Sequence, residues 1–160
     1  MAKVELYREI NMQVRALCDG EPSLIANLAN ISAVLFDRLA DINWAGFYLM
    51  QDTVQGNEQE LVLGPFQGKA ACVRIPVGRG VCGTAVADKT SQLIEDVHSF
   101  DGHIACDAAS NSEVVVPIII NDVVVAVLDI DSPSVGRFDQ DDLNGVETMV
   151  SFIETIWPKK

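Results

Sequence analysis

The chain has 160 residues, 49% of them hydrophobic and 21% charged, with a formal net charge of −12. That length and apolar content fit a single domain over residues 1–160, with enough chain to bury a core unaided by disulfides. The acidity repels phosphate backbones and excludes nucleic acid as a partner.

Residues 3–18 place Leu6, Ile10, Val14, Leu17 and Cys18 at helical spacing. Gly20 and Pro22 break the pattern, and Ser23 is the expected N-cap of a second helix over about 23–40. "NWAGFYLM" reads as a strand, "QDTVQGNEQE" as a polar loop, "LVLGPF" as a second strand and "ACVRIPVG" as a third. Gly78 and Gly80 flank a turn into a short helix, "VCGTAVADK". "SQLIEDV" predicts a brief strand, and residues 98–112 a loop with one or more helical turns. Two β-branched runs around Asn121-Asp122 give the strongest hairpin signal. Asp139 caps a final helix over about 140–157. Helices at both ends of a strand-rich centre predict an α+β fold, an antiparallel sheet covered by helices.

The N-terminus lacks the continuous apolar core of a signal peptide. No stretch reaches the ~18 uncharged apolar residues of a membrane span. A cytoplasmic protein without a membrane partner is therefore expected. Cytosolic cysteines are kept reduced, so a disulfide among the four present would be transient and catalytic rather than structural.

A cysteine is ordinarily a small buried hydrophobe. Cys18 fits that reading, on the apolar side of the first helix. Cys72, Cys82 and Cys106 differ, because each sits at an element boundary beside small or polar residues, where access is expected. Cys82 and Cys106 fall near helix starts, where the macrodipole favours the thiolate. Zinc is the rival chemistry, with Cys72, Cys82, His98, His103 and Cys106 as ligands, but no C-x-x-C pair is present, so no metal is expected. His98 and His103 read as loop residues. Arg74 and Arg79 could meet a carboxylate, although a salt bridge is the more ordinary fate.

Asp129 and Asp131 are two apart in a strand and so share one face. A two-residue turn at Asn121-Asp122 would set Glu113 opposite Ile130, on the other face. A site uniting all three acids therefore requires a bulge, for which Pro117 is the candidate, or an approach by Glu113 from a loop. Clustered carboxyls cannot all ionise cheaply, and one kept protonated can act as a general acid.

"NWAGFYL", "LVLGPFQGKAACVRIPVGRGVCGTAVA", "IEDVHSFDGHIACDAASNSEVVVPI" and "VLDIDS" together resemble the free methionine-R-sulfoxide reductases, small enzymes built on a single GAF domain. The resemblance is dense over about residues 40–140 and looser in the flanking helices. It implies a GAF fold with an antiparallel sheet of about six strands and terminal helices. By the same resemblance Cys106 matches the catalytic cysteine and Cys72 the resolving one. Cys82 matches a third family cysteine that relays or substitutes in some members. Glu113, Asp129 and Asp131 match the acids that bind and polarise the sulfoxide, and Trp44 the aromatic that packs on the substrate's methyl end. The implied reaction forms a sulfenic acid on Cys106 and then a disulfide with Cys72, which thioredoxin reduces. No bound cofactor is needed, and NADPH acts only upstream. Family members often dimerise through helices, which makes a homodimer the expectation. The rival readings are a sensory GAF module that binds a small ligand, a redox sensor whose disulfide regulates a partner, and an interaction scaffold.

Overall fold

The apolar spacing of the first two segments forms helices α1 (Lys3–Cys18) and α2 (Leu24–Arg38), and the Ser23 hydroxyl caps α2 by accepting from the Ala26 N–H. The computed structural model describes residues 1–102 and 109–159. Strands β1 (Trp44–Asp52), β2 (Gln59–Gly68) and β3 (Arg74–Pro76) follow, then helix α3 (Gly80–Asp88) and strand β4 (Gln92–Ile94). A 3-10 turn over Val97–Ser99 precedes β5 (Ser112–Ile120), β6 (Val123–Ser132) and helix α4 (Gln140–Ile156). The Asp139 carboxylate starts α4 with a reciprocal capping box to Asp142.

The six strands form one antiparallel sheet in the order β3-β2-β1-β6-β5-β4. Alternation along the strands divides their side chains between two faces. One face, with Phe47, Val114, Ile118, Leu128 and Ile130, packs under α2 and α4, and α1 packs against those two helices. The opposite face, with Trp44, Tyr48, Val115 and Val127, packs under α3 through Val81, Cys82 and Ala85. Cys18 lies in the helical core, as its position in α1 predicts.

Several expectations change, among them the brief strand "SQLIEDV", which shortens to Gln92–Ile94. The polar loop shrinks to residues 53–58, because Gln51, Asp52, Gln59 and Glu60 pair across the open end of the β1–β2 hairpin. The third strand shortens to Arg74–Pro76, the only part that finds partners on β2. The β5–β6 register differs as well. Asn121 and Asp122 adopt the positive φ of a tight turn, and Ile120 pairs with Val123. Ile119 then pairs with Val124 but Ile118 pairs with Ala126, which leaves Val125 as the extra residue of a bulge. The irregularity is in β6, not at Pro117, which stays in register opposite Val127. Beyond the bulge Glu113 pairs with Asp131 instead of Ile130.

Candidate active site

The bulge carries Glu113 onto the face of Asp129 and Asp131, beneath the start of α3. Cys82 is the third residue of α3. Its helix comes close because Gly83 has no side chain: a Cβ there would lie 2.5 Å from the Pro76 carbonyl oxygen. The Cys82 thiol donates to Asp129 Oδ2 at 3.5 Å and to Glu113 Oε1 at 3.8 Å. Cys82, Glu113 and Asp129 are 4%, 7% and 5% exposed, so the cluster is nearly closed to solvent. Asp131 is half-buried beside it. Asp129 Oδ1 has no hydrogen-bond partner among the described residues.

Burial sets the electrostatics. Desolvation first, and then the neighbouring Asp129 charge, pushes the Glu113 carboxyl well above the usual carboxylate range. Asp129 moves the same way, through burial and then the Asp131 charge. Burial therefore favours keeping a carboxyl protonated above the usual carboxylate range, as a general acid requires. The same two causes overturn the expectation of an exposed, acidic Cys82 thiol. Burial and the charges of Asp129 and Glu113 push its pKa well above the ordinary thiol value, and they outweigh the helix start.

An aromatic wall borders the acids. Trp44 lies opposite Asp131 in the β1–β6 ladder and stacks on Phe66 at 5.2 Å and Tyr48 at 5.8 Å between ring centroids. Gly46, opposite Asp129, makes room for Phe66, since a Cβ at position 46 would lie 2.3 Å from the Phe66 Cβ. Tyr48 and Phe66 are absent from the sequence-based site. The two-residue spacing of Trp44, Gly46 and Tyr48 in a strand would have found Tyr48, but Phe66 needs the β1–β2 pairing.

Cys72 lies on the chain between β2 and β3, is half-buried and is disulfide-bonded, while Cys18 and Cys82 are free thiols. Its carbonyl accepts a hydrogen bond from the Tyr48 hydroxyl. Cys106 and His103 lie outside the described residues. His98 Nε2 meets the Asn111 side-chain oxygen at 2.9 Å. Arg74 forms the ordinary salt bridge, to Glu60, and Arg79 is exposed at the N-cap of α3. Cys82, Glu113 and Asp129 offer ligand atoms within 4.8 Å of one another and could hold a cation. A cation would have to displace protons that burial retains there.

Residues 25–156 match the GAF domain family. The chain is 58% identical over 156 residues to the free methionine-R-sulfoxide reductase of Escherichia coli (strain K12), covering 98% of this chain and 91% of that protein. It is a member of the free methionine-R-sulfoxide reductase family. The structure of the Neisseria meningitidis family member in complex with its substrate superposes with a TM-score of 0.91 at 39% identity, over 98% of this chain and 91% of that one. The fRMsr of Staphylococcus aureus in complex with substrate gives a TM-score of 0.86 at 49% identity, over 95% of each chain. These likenesses run well beyond the motifs, into both terminal helices. The predicted α+β GAF fold with six antiparallel strands is the observed one.

Proposed function

We propose that this chain, as one GAF domain, reduces free L-methionine-(R)-sulfoxide to L-methionine. The observation that carries the reading is the Glu113–Asp129 carboxyl pair, buried with raised pKa values beside the Trp44 wall. A sulfoxide oxygen needs a proton as its sulfur is attacked, and a thioether methyl needs an apolar surface. The pair with half-buried Asp131 supplies the first, and Trp44 the second. Membership of the reductase family supports the same substrate.

In this reading Cys106 is the nucleophile. Its sulfur takes the oxygen and becomes a sulfenic acid, while the sulfoxide sulfur gains two electrons and leaves as methionine. Cys72 then attacks the sulfenic sulfur, an S–S bond forms, the S–O bond breaks, and the oxygen departs as water. The disulfide-bonded state of Cys72 is in keeping with that step. Cys82, closed in with the acids, acts by hydrogen bonding to them. Thioredoxin returns the disulfide to dithiol, with NADPH upstream and no bound cofactor. The protein works in the cytoplasm against oxidative stress, as a homodimer. Among the described residues no helix is long and apolar enough to cross a membrane.

The test is NADPH consumption with thioredoxin, thioredoxin reductase and the separated R and S epimers of free methionine sulfoxide, with Cys106→Ser alongside. Turnover of the R epimer alone, abolished in the variant, is the expected result. No turnover of either epimer with an active reducing system would sink the reading.

A further inference from the structure

Two hydrogen bonds tie the aromatic face of β1 to the chain that carries Cys72. The Tyr48 hydroxyl donates to the Cys72 carbonyl at 2.9 Å, and Trp44 Nε1 donates to the Lys69 carbonyl at 3.1 Å. On the far side the Leu63 N–H holds the Val73 carbonyl at 2.9 Å. The segment is thus pinned at Lys69, Cys72 and Val73, and the pin at Cys72 is the only one of the three on the cysteine itself. Tyr48 is 2% exposed. A buried hydroxyl left without a partner is costly, and so is a carbonyl that loses its donor. Burial, followed by the Asp129 charge, pushes the phenol pKa far up, so the group remains a donor through the neutral range.

We propose that Tyr48 is a positioning residue for the disulfide step: its hydroxyl fixes the Cys72 carbonyl and so presents the Cys72 sulfur to its partner. This rests on the reading of Cys72 as the thiol that resolves a Cys106 sulfenic acid. In that step the Cys72 sulfur attacks the sulfenic sulfur, the S–S bond forms, the S–O bond breaks, and the oxygen leaves with a proton as water. Without the hydroxyl the segment keeps its outer pins, and Cys72 samples more orientations between them. The wall that borders the acids would then also set how soon the oxidised nucleophile is resolved.

The experiment follows the lifetime of the sulfenic acid in the reduced full chain, trapped with dimedone at successive times and read by mass spectrometry. One arm uses free methionine-(R)-sulfoxide as oxidant and the other uses hydrogen peroxide, which forms the sulfenic acid without sulfoxide chemistry. In Tyr48→Phe the sulfenic acid should live about fivefold to tenfold longer, the size that one net hydrogen bond supports. Trp44→Phe, which keeps an aromatic ring and frees the Lys69 carbonyl but not that of Cys72, should lengthen it less in the peroxide arm. A Tyr48→Phe lifetime equal to the native one in the peroxide arm overturns the proposal, as does a larger effect from Trp44→Phe. Failure of the native chain to form methionine in the sulfoxide arm overturns the reductase reading alone, because the peroxide arm still reads the effect of Tyr48.

Discussion

Glu113 sits directly across the β5–β6 ladder from Asp131, on the same side of the sheet as Asp129. One residue makes this so. Val125 is the extra residue of the bulge, and it shifts the register between the turn and the site. A simple hairpin would put Glu113 across from Ile130, among the side chains that face the helices.

Deleting Val125 alone should close the bulge and leave Glu113 opposite Asp131, because every residue beyond it moves up one place. Glu113→Gln in the native register should lower reductase activity by about 100-fold or more, the range of general acid–base catalysis, with the helical circular dichroism retained. Activity within a few-fold of native would mean that Glu113 is dispensable.

The buried carboxyls predict how stability depends on pH. The folded-state pKa values of Glu113 and Asp129 lie above their ordinary values of 4.5 and 3.8. The folded chain therefore binds more protons than the unfolded chain above those values. Their contribution is fully present below the ordinary carboxyl range and is lost as pH rises through the raised values. The melting temperature should fall as pH climbs above the ordinary carboxyl range, and Asp129→Asn should flatten that fall. Calorimetry over about four pH units upward from the ordinary carboxyl range checks it. A variant with the same slope as native would place the linked protons elsewhere.

Cys82 separates two roles by substitution. Its thiol donates toward Asp129 and Glu113 from a closed position. Cys82→Ser keeps a donor there and Cys82→Ala does not. The alanine variant should lose about fivefold more kcat/KM than the serine variant, and its pH profile should shift. Equal, severe losses in both would instead indicate a redox relay through the sulfur.

Away from the site, Asp142 is 1% exposed and joins three elements. It accepts from Tyr7 at 2.8 Å and Lys3 at 2.7 Å, both on α1, and from Arg137 before α4. Asp142→Ala would leave two cations without their shared partner and should destabilise the fold by about 3 kcal/mol. Urea unfolding measures the loss, while activity per folded molecule should hold.

Most of the fold was legible in the sequence because local signals and tertiary demands agree. The Ser23 and Asp139 caps, the helical periodicities and the Asn121-Asp122 turn each work within a few residues. The site was legible through its residue types, and less so through its geometry. Alternation put Asp129 and Asp131 together, but nothing in the β-branched run marks Val125 as the bulged residue. Pro117 is a residue type that disturbs ladders, yet it is accommodated in register. The environment of Cys82 escapes the sequence for a related reason. A helix start is visible in sequence, whereas the two acids buried against it come from strands 31 and 47 residues away.

The alternation of β1, β5 and β6 means that neighbouring residues answer to different selection. Phe47, Val114 and Leu128 hold the helical layer, while Tyr48, Glu113 and Asp129 border the acid pocket. Substitutions on the pocket side can therefore accumulate while the helices stay docked. A chain built this way can be retuned toward another small oxidised thioether, and Phe66, held by stacking on Trp44 over the gap at Gly46, is the most exchangeable part of the wall. Insertions and deletions have no such freedom away from the bulge, because a single one within a paired stretch exchanges the two sets of residues.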